Sequence, residues 1–333
     1  MKSIKNIKER VTDFGNLRDA YFHARRSKRF RNEVLEFSAN LEDNLHDLQK
    51  ALRDQTYVPG PYKKKVIHDP VDRLIMWQAF IHRVVQWAVY QVINPEFVRG
   101  YIEDSYACIK GRGSDAAAQR LFYFMQQAGR KDQRAVRDEK GRPLSRHYVM
   151  KLDTSKFFYR IDHQVSLNLI GKKCNYDPEL RIHYYVRYMD DIVILSDSKA
   201  QLHEWKEKIE RYMQEKLKLE LNPKKCFIEP ISRGIDFCQY RVFPDHIKLK
   251  KATALRMKRN LKRIQHLYAT GEITLERAQK AVNSYMGLLS HCDSYQLKRA
   301  IFGEYSESEW VEGWFYLQRD SALIEAKKNE AGE

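Results

Sequence analysis

Tyr188-Met189-Asp190-Asp191 lies between two runs that read as β-strand, Tyr184-Tyr185-Val186-Arg187 before it and Ile192-Val193-Ile194-Leu195 after it. Aromatic and β-branched residues on both sides of a tight polar pair predict a hairpin with the acids at or beside its turn. Folding alone does not favour two adjacent carboxylates, because each raises the other's pKa unless a cation compensates. A hard divalent ion such as Mg²⁺ takes oxygen ligands and is the simplest compensation. An ordinary polar turn with a chance Asp-Asp is the competing reading of the tetrad alone.

Asp153 ends a second short apolar run, Tyr148-Val149-Met150-Lys151-Leu152, which reads as a buried strand. Paired beside the hairpin, this strand brings Asp153 and Asp190 to one spot. Two metals held there can activate an attacking hydroxyl and neutralise a leaving oxygen in an in-line phosphoryl displacement. By itself Asp153 reads equally well as the N-cap of a following helix.

Together the two acid-tipped strands resemble the palm of reverse transcriptases: a Tyr-Met-Asp-Asp hairpin, and an apolar strand ending in Asp with an aromatic residue, Phe158, five positions on. Pro61-Tyr62 with Lys63-Lys64-Lys65, then Asp69-Pro70-Val71-Asp72-Arg73-Leu74-Ile75, is similar to the family's basic fingers segment. Arg83-Val84-Val85-Gln86, Ser105-Tyr106-Ala107-Cys108 and Gly111-Arg112-Gly113 resemble the helix and loop after it. Ser232 to Arg241 resembles the primer-side strand at the palm–thumb boundary. The combination is most similar to the compact reverse transcriptases of diversity-generating retroelements and runs from about Gly15 to Ile301.

The resemblance implies an α+β right-hand polymerase with helical fingers, an antiparallel palm sheet and an all-helical thumb. Its divisions are a helical N-terminal extension (1–60), fingers with part of the palm (61–147), the acid-bearing palm (148–247) and a basic thumb (248–333). The implied activity is RNA-directed DNA synthesis, with Asp153, Asp190 and Asp191 holding Mg²⁺ or Mn²⁺. Arg73 and Lys65 are assigned to the triphosphate of the incoming deoxynucleotide, and Lys225 to the same group. Phe158 is assigned to the floor under its sugar, where a bulky ring excludes a 2′-hydroxyl. A core Phe at 158 and a plain surface lysine at 225 are the alternatives. Implied partners are template RNA, a primer–cDNA duplex, deoxynucleoside triphosphates and a retroelement accessory protein.

The likeness has departures. Only twenty residues, Gln164 to His183, separate the Asp153 segment from the hairpin, where the family has several dozen more. The Gly-x-x-x-Ser-Gln pattern of retroelement enzymes does not occur, and Gln239 stands where the family usually has Gly. A non-catalytic RNA-binding remnant is therefore a second reading. A phage-defence or retron-type enzyme, using the same chemistry, is a third.

Composition agrees with a polyanionic partner. Among 333 residues, 60 Lys and Arg face 44 Asp and Glu, a formal net charge of +16, and such an excess makes nucleic-acid binding salt-dependent. One cluster holds Arg25, Arg26, Lys28, Arg29 and Arg31. Another, with Lys250, Lys251, Lys258, Arg259, Lys262 and Arg263, has no acid among its members and predicts contact with nucleic acid rather than a solvated face. Five scattered cysteines show no zinc spacing and suit a reducing cytoplasm. No apolar stretch reaches membrane-spanning length, and the N-terminus has no signal-peptide pattern.

Along the chain, Val34, Phe37, Leu41, Leu45, Leu48 and Leu52 predict a helical core stripe. Asp72 to Ile93 reads as one long helix, Arg130 to Arg146 as an exposed loop, and everything after Lys250 as helices, including 255–268 and 275–289. Leu202, Trp205, Ile209, Met213 and Leu217 predict an amphipathic helix under the strands.

Overall fold

The computed structural model describes residues 6–68, 72–135, 137, 146–166, 182–306, 309–321 and 323. The chain divides into two compact units, Met1–Ile102 and Glu103–Glu333.

In the first unit, helices α1 (Ile7–Val11), α2 (Phe14–Ala24), α3 (Asn32–Ala39) and α4 (Leu41–Arg53) precede strands β1 (Lys63–His68) and β2 (Asp72–Trp77) and helix α5 (Phe80–Val98). Asp13 starts α2 by accepting the amide of Asn16, an orphan donor of the first turn. Phe80, Val84, Ala88 and Val92 recur every fourth residue along α5 and meet Leu17, Tyr21, Val34, Phe37, Leu45 and Leu48 in one core. The predicted 34–52 stripe is thus a core stripe, carried by two helices that break at Asn40.

The expected helix over 72–93 is corrected. Residues 72–77 are strand, paired antiparallel to β1 from Lys63↔Trp77 to His68↔Asp72, and the helix begins only at Phe80. A short apolar run carries no decisive period. The neighbouring Lys63–His68 segment offered it a ladder.

In the second unit, β3 (Ser105–Tyr106), β4 (Tyr148–Leu152), β5 (Tyr184–Tyr188), β6 (Asp191–Ser196) and β7 (Phe227–Pro230) form a five-stranded sheet ordered β3-β5-β6-β4-β7. The sheet is antiparallel except that β3 runs parallel to β5, a correction to the wholly antiparallel expectation. Helix α6 (Ser114–Arg134) covers one face, where Leu121, Phe124 and Met125 pack with Val149, Val186, Val193 and Leu195. Helix α7 (Phe157–Arg160) is a short turn after β4, and α8 (Lys199–Tyr212) follows β6. Leu202 of α8 and Met213 just beyond it cover the other face, packing with Met150, Leu152 and Ile194. Alternate residues of β4 and β6 therefore enter two different cores, which is why both strands read as continuous apolar runs.

The Arg130–Arg146 run is also corrected in part: α6 continues to Arg134, and 136 and 138–145 lie outside the described residues. Its last turn is functional in the fold. Both carboxylate oxygens of Asp132 accept the amide of His147 at 3.0 Å, and the His147 ring Nδ1 lies 2.7 Å from Oδ1. This clamp sets the start of β4. Lys131 donates to the Tyr184 hydroxyl at 3.1 Å and sets the start of β5.

A second, three-stranded sheet joins β8 (Ile235–Phe237), β9 (Tyr240–Val242) and β10 (Ile247–Leu249). Helices α9 (Lys251–Ala269), α10 (Leu275–Leu289) and α11 (Tyr295–Phe302) follow and share a core of Met257, Leu261, Leu289 and Ile301. The C-terminal part is not all helical, because β11 (Glu304–Ser306) pairs with β12 (Glu309–Val311), Tyr305 opposite Trp310. The two three-residue runs are too short to show a period of their own.

Gly234 joins the sheets with φ +68° and ψ 155°, backbone that only glycine adopts freely. A Cβ there would stand 2.5 Å from the Phe243 ring. Gly234→Ala is expected to lower the free energy of unfolding by about 1–3 kcal/mol. Gly111→Ala, at φ +78° but in open space, should cost less. Denaturant midpoints of the two variants check this order.

Candidate functional site

The site is built at one end of the five-stranded sheet. Tyr188 pairs with Asp191, so Met189 and Asp190 form the two-residue turn of the β5–β6 hairpin. Met189 takes φ +53°, a left-handed backbone that non-glycine residues adopt rarely. Arg187 holds the turn by donating from Nε to the Met189 carbonyl at 2.7 Å.

Strand β4 pairs with β6 through Leu152↔Ile192. One step further along this register, Asp153 stands level with Asp191, and its charge opposes ionisation of Asp191. The register therefore brings Asp153 to the hairpin beside Asp191, and Asp153 is no helix cap: α7 starts after Lys156, which makes no side-chain cap. Instead Asp153, 7% exposed, is held by a segment about seventy residues later. The amide of Asn222 donates to the Asp153 carbonyl at 2.7 Å, Asn222 Nδ2 to Oδ1 at 3.4 Å, and Lys225 Nζ to Oδ2 at 2.9 Å. Lys225 is thus paired with a candidate catalytic acid.

The Asp191 side chain is only 26% exposed. Burial pushes its carboxyl above the usual carboxylate range, Lys151 opposes this, and the charges of Asp153 and Asp190 reinforce it. Lys151 Nζ lies 3.3 Å from Asp191 Oδ1, close enough for an ion pair. Its hydrogen bond goes to the Asp236 carbonyl at 3.0 Å, and the buried Oδ1 has no hydrogen-bond partner. A buried carboxylate oxygen met by one lysine at 3.3 Å, with the charges of two further acids acting on the same group, suits a divalent cation. Among the described residues no three His, Cys, Asp or Glu side chains form a ready-made cage. Mg²⁺ does not require one, since it is commonly held by one or two carboxylates together with substrate phosphates.

The β8–β9 hairpin neighbours the site, with the Asp236 carbonyl accepting from Lys151 Nζ. Cys238 takes φ +55° there, which relieves Gln239 of the conformation that would call for glycine. Burial, then the charge of Asp191, pushes the Cys238 thiol up to about 12.

Phe158 is 72% exposed on α7, edge-on to Phe157, whose ring packs into the core beside α8. The core reading therefore belongs to Phe157 and not to Phe158. An ion pair between Arg160 and Glu220 ties α7 to the strand-like segment before Asn222.

Lys65 and Arg73 lie on the exposed β1–β2 hairpin of the first unit, where Lys65 pairs with Ile75 and Arg73 with Ile67. The register puts both on one face. The α9 cations do not act as one cluster. Lys250 pairs with Asp236 at 3.3 Å. Lys258, Arg259 and Lys262 line one cleft, and Arg263 lines another with Arg277. Lys251 is exposed at the first residue of the helix.

Lys151, Asn222, Arg187 and Cys238 were not legible as site residues. Only Lys151 left a signal, as a lone cation two residues before Asp153 in an apolar strand. Most of the short Gln164–His183 segment, 167–181, lies outside the described residues.

Residues 164–242 match the family model of the reverse transcriptase (RNA-dependent DNA polymerase). The matched stretch contains the acid hairpin, Asn222 and Lys225. No curated protein matches the chain. Among solved structures, one similar chain comes from the telomerase of Candida albicans in complex with a TWJ fragment of telomeric RNA, at 10% identity and a TM-score of 0.39. The alignment covers 77% of this chain and 60% of that one. Among the described residues no helix is long and apolar enough to cross a membrane.

The raised Asp191 carboxyl has a consequence for stability. Between its unfolded and folded pKa values the folded chain binds more protons, so stability falls as pH rises through that window. Asp191→Asn is expected to raise the thermal midpoint at pH 7, and the gain should vanish below about pH 4, where both chains are neutral at 191. A lower midpoint at pH 7 would mean that the Lys151 pair outweighs burial.

Proposed function

We propose that the chain is an RNA-directed DNA polymerase that copies an RNA template into cDNA. The observation that carries this reading is the β4–β6 register, which sets Asp153 beside the Asp190-Asp191 pair at one end of the sheet. Mg²⁺, with Mn²⁺ as a substitute, would be held by Asp153, Asp190 and Asp191 and would supply activation of the primer hydroxyl and neutralisation of the leaving oxygen.

The remaining work falls to side chains. Lys225, close to Asp153, exchanges that carboxylate for triphosphate oxygens when a nucleotide enters, and its cation stabilises the charge developing on the leaving group. Phe158, exposed and braced by Phe157, offers a flat ring to the sugar of the nucleotide and leaves no room for a 2′-hydroxyl. Lys65 and Arg73 are assigned to the triphosphate on their likeness to the family's basic segment. The α9 cations contact nucleic-acid phosphates, positioning the strand without reading it. By sequence likeness the enzyme is of the diversity-generating retroelement type, working in the cytoplasm with an accessory protein. A near-duplicate repeat pair differing at adenines in the neighbouring DNA tests that assignment.

Purified protein with Mg²⁺ and deoxynucleoside triphosphates should extend a primer on an RNA template. Asp190→Asn should reduce the rate roughly 10³-fold or more, since losing a metal ligand removes several kcal/mol of transition-state stabilisation. Equal rates would remove Asp190 from the site, and no extension by either protein would favour the RNA-binding remnant.

Phe158→Ala should raise ribonucleotide over deoxynucleotide incorporation by roughly tenfold or more, the size of a lost steric discrimination. Single-nucleotide incorporation with each substrate measures the ratio. An unchanged ratio would remove Phe158 from sugar selection.

A further inference from the structure

A cleft of about 1220 Å³ lies between α9 and the segment after β12, remote in sequence from the acids. It exceeds the roughly 300–1,000 Å³ of a small-molecule pocket, so its dimensions suit a length of chain. Lys258, Arg259 and Lys262 line one wall, at the i, i+1 and i+4 positions of one helical stripe. Among the described residues Asp320 is the one acid in the lining, and none of these three cations has a carboxylate within ion-pair distance.

The opposite wall carries rings. Tyr316 is 58% exposed in the cleft. Trp314 is fixed by the core on one side and by Lys262, whose Nζ lies 5.7 Å from the ring centroid. Arg319 anchors this wall to the end of α9: its guanidinium stacks on Tyr268 at 4.4 Å and donates to the carbonyls of Tyr268 and Ile273 at 3.0 and 3.2 Å. Three cations without a carboxylate partner among the described residues, facing an anchored wall with an exposed ring, combine the two elements of single-strand recognition, backbone neutralisation and base stacking.

We infer that this cleft binds single-stranded RNA, with phosphates on Lys258, Arg259 and Lys262 and an unpaired base on Tyr316. In a duplex the base faces are stacked inside the helix and cannot reach the ring. Gln265, Gln318 and Ser321 also line the cleft and can both give and take hydrogen bonds, as a 2′-hydroxyl does. The inference rests on the proposed contact of the α9 cations with nucleic acid and specifies its ligand, while binding here requires no chemistry at the acids.

The test uses the full chain carrying Asp190→Asn, without nucleotides, so that failure of the polymerase reading leaves the measurement intact. Anisotropy titrations compare a labelled ten-nucleotide RNA of mixed, non-self-complementary sequence with the same sequence as DNA and as a duplex. Single-stranded RNA should bind most tightly. Tyr316→Ala should weaken it roughly fivefold or more, as loss of one stacked base does, and Tyr316→Phe should not. Replacing Lys258, Arg259 and Lys262 with Gln should flatten the log–log salt dependence by about 0.7 per cation. Photocrosslinking of a 4-thiouridine RNA to the protein without cleft substitutions should map to 255–266 or 314–321, a readout that does not depend on any cleft variant folding. Unchanged affinity in Tyr316→Ala, crosslinks only elsewhere, or duplex bound more tightly would overturn the proposal. DNA bound as tightly as RNA would overturn the choice of RNA.

Discussion

Pairing of β4 with β6 between two helical layers is the constraint on which the rest of the second unit depends. Val149, Val193 and Leu195 must face α6, while Met150, Leu152 and Ile194 must face α8. A one-residue slip would turn each set into the wrong core. That register, imposed by burial of apolar side chains on both faces, is what brings Asp153 level with Asp191. The Asp132–His147 clamp and the Lys131–Tyr184 contact fix where β4 and β5 begin, so the acids inherit their position from the far end of the same strands.

The price of that position is a partly buried carboxylate beside two others. Lys151 and Lys225 each offset one acid, yet Asp191 keeps an oxygen without a hydrogen bond and a raised carboxyl. Clustering of like charge with incomplete compensation destabilises a fold, and it is common where a cation or a charged substrate completes the set. Met189, in left-handed backbone between Tyr188 and Asp190, adds local strain at the same turn. Stability and chemistry thus pull in opposite directions at Asp191.

Charge on α9 is organised by the helix rather than by the run of cations. Residues 258, 259 and 262 share a stripe that opens into the cleft, whereas 263 turns toward α10 and Lys250 is spent on Asp236. The anchored aromatic wall opposite the stripe distinguishes this face from a merely solvated one.

Much was legible in the chain alone. The aromatic and β-branched runs around Asp190-Asp191, the strand ending at Asp153, the α8 stripe and the α9 and α10 helices all follow from local patterning, because strand-forming residue types and helical periodicity are properties of neighbouring residues. The sequence also marked Phe158, but only packing could separate it from Phe157: one ring enters the core and the other faces solvent. Residues 72–77 became strand because a partner strand was available, and 130–134 stayed helical because α6 was already formed. Lys225 on Asp153, 72 positions apart, and Lys151 on Asp191, 40 apart, are products of chain reversal. The division of the α9 cations between two clefts depends on which helix face meets which neighbour. Composition and periodicity act within a few residues, whereas a charge pair or a cleft wall exists only where distant segments are forced together by the burial of their apolar faces.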